Sequence, residues 1–97
     1  MNTKLTGSER QKALNALPNW ERVDGQDAIT RTFTFTNFNA AFAFMTSIAL
    51  RAEQMNHHPE WSNVYNRVDV KLTTHDAGGV TQKDISLALF IDELEAS

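Results

Sequence analysis

Two short stretches of the chain alternate between apolar and polar residues, and they fix the kind of sheet it can build. Ile29, Phe33 and Phe35 alternate with Thr30, Thr32 and Thr34, and Val68, Val70 and Leu72 alternate with Asp69, Lys71 and Thr73. A period of two, rich in β-branched and aromatic residues, marks a half-buried strand. Such strands belong to an antiparallel sheet with one face covered and the other in water. Arg31 falls on the apolar side of the first stretch and is its one inconsistency. Residues 20–23, closed by the Asp24-Gly25 turn signal, and residues 61–65 read as two further strands. Asn66-Arg67 is the expected tight turn before the last strand.

Helical spacing fills the intervals. Ser8 with Gln11 three residues on reads as a capping box opening a first helix that presents Leu14 and Leu17 and stops at Pro18-Asn19. Thr36-Asn37 can cap a long second helix in which Phe38, Ala41, Phe42, Met45, Ile48, Ala49 and Ala52 recur at helical spacing, with Met55 near the end. Pro59 disfavours helical backbone at His58, so this helix should end around Asn56. With Phe42 and Met45 turned to the sheet, Phe44 lies well round the helix at ~100° per residue and marks a second contact surface. Gly78-Gly79 permits positive φ in a loop. Thr81 caps a third helix with Asp84 at its third position, and Ile85, Ala88, Leu89 and Ile91 supply its apolar face. The order α-β-β-α-β-β-α predicts an α+β fold: a four-stranded antiparallel sheet with three helices on one face and a polar face free for a ligand or partner.

A length of 97 residues, 41% hydrophobic and 22% charged, is that of one ordinary globular domain spanning 1–97. A domain this small leaves little room for a deep private cavity, so a site is expected in a surface cleft or shared between subunits. The chain has no cysteine, which excludes disulfides, zinc–thiolate sites and thiol catalysis. That suits a reducing cytosol, and a cytoplasmic location is expected. A net charge of −3 with no basic run argues against nucleic acid as a partner. No apolar stretch approaches the ~18 residues that span a bilayer. Met1-Asn2-Thr3-Lys4 leads into no signal-type apolar region.

All three histidines fall between positions 57 and 75. His57-His58 sits where the long helix should end, and His75 where a strand should end; element ends are where a rigid scaffold presents reactive groups. Imidazole titrates near pH 6.5, so a pair of histidines can supply an acid and a base at neutral pH. Three imidazoles can also hold zinc, but adjacent histidines project in different directions and no His-x-x-x-His spacing occurs, so no metal is expected. Glu53, one helical turn before His57, can hydrogen-bond a histidine and fix its tautomer, or serve only as a solvated helix carboxylate. Trp61 can stack on a flat heterocycle or simply pack. Asp84 reads first as the partner of the Thr81 cap.

The run Glu53-Gln-Met-Asn-His57-His58-Pro59-Glu60-Trp61-Ser-Asn-Val64-Tyr65-Asn66, followed by Leu72-Thr73-Thr74-His75 and then Asp84, resembles the pterin-4a-carbinolamine dehydratase family. The family pattern is an acidic residue, three positions, His-His-Pro, an aromatic, a second histidine and an aspartate. The resemblance extends upstream through Phe38-Asn39 and residues 41–46 and covers most of the chain from Asp27 onward. It implies a hydro-lyase that expels the 4a-hydroxyl of a 4a-hydroxytetrahydropterin as water, recycling the pterin with no cofactor and no metal. It implies that His57, His58 and His75 are the catalytic acid–base groups. Asn56, Thr73, Thr74 and Asp76 would line the pterin together with Trp61, and Glu53 and Asp84 would support the site. Some members carry aspartate where this chain has Asn56; an amide still hydrogen-bonds a pterin. The resemblance further implies dimers joined through sheets and tetramers joined through helices, the tetramer being expected here. In animals the family includes a dimerisation cofactor of a homeodomain transcription factor, so a non-catalytic interaction protein on the same scaffold is the alternative.

Overall fold

The alternating stretches pair with one another at the centre of the sheet. The computed structural model describes residues 3–97; Met1 and Asn2, the first positions of the expected 1–97 domain, lie outside the described residues. The elements run α1 (Gly7–Leu14), β1 (Glu21–Arg22), β2 (Ile29–Thr34), α2 (Phe38–Met55), β3 (Glu60–Val64), β4 (Arg67–Leu72), a 3-10 turn (His75–Ala77) and α3 (Gln82–Ala96). The sheet order is β1-β2-β4-β3, antiparallel throughout. This is the α+β arrangement expected from the sequence.

Register decides the faces. Ile29 opposes Leu72, Arg31 opposes Val70, which opposes Trp61 on its other side, and Phe33 opposes Val68, which opposes Asn63, all on the helix-covered side. Thr30, Lys71 and Glu60 form one row of the open face, and Thr32, Asp69 and Ser62 the next. Ala41, Phe44, Ile48 and Ala52 of α2 and Ile85, Leu87, Ala88 and Ile91 of α3 bury against the first set. Each fully buried leucine or isoleucine contributes roughly 1.5–3 kcal/mol relative to an exposed one. Phe44 is the keystone: its ring lies 4.9 Å from that of Phe33 and 4.8 Å from that of Phe35.

Several local expectations are corrected. The cap of α1 is Thr6 with Glu9, one register earlier than Ser8 with Gln11, because both reciprocal bonds close there. Leu17 lies beyond α1 yet is fully buried, and the strand expected over 20–23 shrinks to two residues. The hairpin between β3 and β4 turns on Tyr65-Asn66 rather than Asn66-Arg67. Tyr65 takes φ of 49° there, while the Asn63 amide donates to the carbonyls of Tyr65 and Arg67. On α2 the roles of two phenylalanines are exchanged: Phe44 is in the core and Phe42 is exposed, stacked on Phe38 at 5.4 Å. On α3, Leu87 is buried where Leu89 was expected. Arg31, the apparent inconsistency, lays its guanidinium 4.4 Å from the Phe33 ring centre. It pairs with Asp92 at 2.7 Å and Glu95 at 3.4 Å, so its charge is neutralised where it meets α3.

The segment after β4 is tied to the rest of the fold by Asp27. Its backbone carbonyl accepts from the Thr73 hydroxyl and its carboxylate from the Val80 N–H. Arg10 of α1 holds the same carboxylate at 2.8 Å. Gly79 passes so close that a Cβ there would come within 2.5 Å of the Asp27 carboxyl. Gly78, at φ of 79°, reverses the chain just before it. Burial alone would raise the Asp27 carboxyl, but the Val80 N–H and the Arg10 and Lys4 cations outweigh it and hold the group below the ordinary aspartate value of 3.8. A carboxyl depressed by folding stabilises the protein fully above its unfolded value, and that contribution is lost as pH falls through the lower folded value. Asp27→Asn should therefore lower stability near neutral pH and flatten the acid side of the pH–stability curve. Urea unfolding at a series of pH values tests this; curves that run parallel for the two proteins would refute it.

Candidate active site

The end of α2 sets the first two histidines apart. Asn56 caps the helix in the left-handed region, φ 52° and ψ 44°, a conformation that asparagine tolerates better than most residues. The chain then turns so that His57 goes inward, buried, and His58 goes outward. The His57 N–H still bonds the Ala52 carbonyl at 3.0 Å, so the imidazole is placed by the helix itself. His75 stands on the 3-10 turn following β4, its side chain 80% exposed.

Each imidazole meets its own carboxylate. His57 Nε2 lies 2.5 Å from Asp84 Oδ1, His58 Nε2 lies 2.8 Å from Glu53 Oε1, and His75 Nε2 lies 2.7 Å from Glu60 Oε2. Glu53, expected one helical turn before His57, thus serves His58 instead, because the left-handed turn at Asn56 carries His57 away from the helix face. The three carboxylates differ sharply in environment. Asp84 is fully buried, Glu60 is 43% exposed and Glu53 is 81% exposed at the side chain.

Asp84 joins three elements. Its Oδ2 accepts from the Thr81 N–H and the Thr74 hydroxyl, both at 2.8 Å, while its Oδ1 faces His57. Thr74 has one hydroxyl proton and gives it to the carboxylate, so at 2.8 Å it accepts from the Thr81 hydroxyl. Asp84 is therefore both the capping partner at the start of α3 and the group that orients His57. Every buried side-chain polar atom among the described residues has a hydrogen-bond partner.

The histidines border one open cavity of about 260 Å³, lined by Asn56, His57, His58, Thr73, Thr74, His75 and Asp76. Trp61 is not part of that lining; it is half-buried against the core on the covered side of β3. Glu53 and Asp84 stand behind the imidazoles they contact. A larger hollow of about 440 Å³, lined by Asn19, Glu21, Thr30, Arg31 and Thr32, contains no histidine. Among the described residues no three histidine or carboxylate side chains converge as a metal would require. Glu60 is the one member of the set to which the sequence reading gave no role. Its signal is the β3–β4 register, which places it beside Lys71 at the His75 end of β4.

The family model for pterin 4 alpha carbinolamine dehydratase matches residues 3–94. The chain belongs to this family. It is 60% identical over 93 residues to a Burkholderia multivorans protein named provisionally as a pterin-4-alpha-carbinolamine dehydratase, covering 96% of this chain and 91% of that one. A Rhizorhabdus wittichii protein with the same provisional name is 61% identical over 90 residues, covering 93% of each. The crystal structure of the transcriptional coactivator/pterin dehydratase of Brucella melitensis superposes with a TM-score of 0.94 at 52% identity, covering 96% of this chain and 99% of that one.

Removing the buried carboxylate should be costly because it strands its donors. Asp84→Ala leaves the Thr81 N–H, the Thr74 hydroxyl and the His57 ring without their acceptor, and should destabilise the fold by about 3 kcal/mol. Glu53→Ala, at an exposed pair, should leave the unfolding midpoint measurably unchanged. Equal midpoints for Asp84→Ala and the parent would contradict this account.

Proposed function

We propose that the chain dehydrates a 4a-hydroxytetrahydropterin to the quinonoid dihydropterin by histidine general acid–base catalysis, as one domain in the cytoplasm, recycling a pterin cofactor. The observation that carries this reading is the convergence of three imidazoles, each with one ring nitrogen held by a carboxylate, on a single open cavity. The chemistry has matching demands. One proton must reach the leaving 4a-hydroxyl as its C–O bond breaks and water departs. Another must leave the neighbouring ring nitrogen, whose N–H electrons form the new C=N bond. No electrons leave or enter overall. Positioned imidazoles can perform both transfers near neutral pH.

In this reading the ring plane lies between the His57-His58 end of α2 and the His75 turn. The Asn56 amide, the Thr73 and Thr74 hydroxyls and the Asp76 carboxylate supply donors and acceptors for the amino-pyrimidinone edge. The cavity is open enough for the side chain of the pterin to project into water. His57→Ala and His75→Ala should each lower the dehydration rate by about 10²–10⁴-fold; the exposed His75 site should keep its unfolding midpoint, whereas His57→Ala also takes a partner from the buried Asp84 and should lower it. Optical assay with authentic 4a-hydroxytetrahydropterin measures this, and near-native rates in both variants would defeat the assignment.

We also propose that the chain assembles as a homo-oligomer, a tetramer rather than a dimer. Phe38 and Phe42 stack in the open on α2, and Leu50 is 66% exposed on the same helix. These side chains, rather than Phe44, are the ones that a helix–helix contact would cover. Phe42→Glu should weaken assembly while leaving helix content intact; light scattering and circular dichroism separate the two effects. A stable, fully active monomer of 10.9 kDa would overturn the proposal. The name of the Brucella relative gives one reason to keep a partner-binding role in view, and histidine variants that assemble normally would isolate it.

A further inference from the structure

His75 presents a difficulty more acutely than the other two histidines. His57 is buried, and His58 is set by the end of α2, but His75 stands on a three-residue turn with most of its ring in water. An imidazole so placed rotates about its side-chain bonds and exchanges between tautomers unless something holds it. The geometry points to Glu60 as the positioning residue that holds the His75 ring, so that Nε2 carries the proton and Nδ1 presents a lone pair to the cavity. This rests on the dehydratase reading for its catalytic meaning.

Four observations support it. Glu60 Oε2 lies 2.7 Å from His75 Nε2. The other carboxylate oxygen lies 3.5 Å from the Lys71 ammonium, and Lys71 is the cross-strand neighbour of Glu60 on the open face of the sheet. Lys71 is in turn fixed at 2.9 Å by the Gln26 side-chain carbonyl. The His75 hydrogen bond, with help from Lys71, holds the Glu60 carboxyl below its ordinary range although burial opposes it. Glu60 is thus an ionised acceptor with no proton to give, and Nε2 of a neutral His75 must be the donor. His75 lines the cavity and Glu60 does not; with Nε2 taken up by Glu60, Nδ1 is the ring nitrogen left to serve a substrate there.

Glu60 therefore acts through His75 and not on the pterin. The arrangement differs from the Asp84–His57 pair in one physical respect. Asp84 is anchored by two donors in the core, whereas Glu60 is anchored by a strand neighbour on the exposed face. The positioning of His75 then depends on the β3–β4 register rather than on the core.

The test is nitrogen-15 NMR of the imidazoles in the free protein, about two pH units above the ordinary histidine value, together with steady-state kinetics. The parent should show His75 predominantly protonated at Nε2. Glu60→Ala should release the ring into a mixture of tautomers, with kcat lowered about 10-fold and KM within about 2-fold. Glu60→Gln keeps the length and packing of the side chain. Its carbonyl is claimed by Lys71, so its amide N–H groups turn to His75 and should drive the proton to Nδ1, with an equal or larger loss in kcat. Retention of the Nε2–H tautomer in both variants, or a fall in kcat without any change of tautomer, would overturn the role. A parent protein with the Nε2–H tautomer and no dehydratase activity would instead overturn the proposed reaction, leaving the positioning of His75 to be decided by the NMR alone.

Discussion

The buried carboxylate of Asp84 is the point through which the helix, the sheet and the cavity are fixed relative to one another. One oxygen closes the cap of α3 and binds the hydroxyl that follows β4; the other faces the imidazole that follows α2. A charge so placed would be very costly alone, and it is stable only because every neighbour is a donor. The segments that follow α2 and β4 and the start of α3 thereby share a single acceptor. The result is a cavity wall whose geometry is inherited from the core, although the cavity itself is shallow and open.

Around this centre the structure divides its histidines by how they are held. His57 is positioned by burial, His58 by the last turn of α2, and His75 by a strand pair on the opposite face of the sheet. The same chemistry, an imidazole against a carboxylate, recurs with three degrees of exposure. Coulombic interactions weaken as water enters between and around the partners. The three rings therefore border the cavity with three different degrees of restraint, which a single repeated motif would not provide.

Much of this was legible in the sequence, for identifiable reasons. The alternation in β2 and β4 specified a one-sided antiparallel sheet, and Pro59 placed the end of α2 around Asn56, which is its cap. Thr81 with Asp84 announced the cap of α3. What the sequence did not carry was the face of each helix and the partner of each histidine. α2 has apolar residues on more than one face, so spacing alone could not choose between Phe42 and Phe44; the positions of Phe33 and Phe35 on the sheet made the choice. Glu53 and His57 are neighbours on an ideal helix, but the left-handed residue at Asn56 breaks that geometry one position too early. Glu60 could not be tied to His75 without the strand register, since fifteen residues separate them. Arg31 violated the alternation because its partners, Asp92 and Glu95, lie at the far end of the chain.

The clamp on Arg31 has a spectroscopic consequence. Asp92 Oδ1 accepts from both the Arg31 guanidinium and the indole N–H of Trp20, at 2.7 Å and 2.8 Å. Trp20 is almost entirely buried, whereas Trp61 is only half-buried on an edge strand. The chain therefore carries two intrinsic fluorophores in unlike surroundings. The emission of Trp20 reports whether the last turns of α3 are seated on the sheet, about two helical turns beyond Asp84. Changes confined to the histidine cavity leave the Trp20–Asp92 contact in place, so that the Trp20 emission and the imidazole resonances observe separate parts of one small fold.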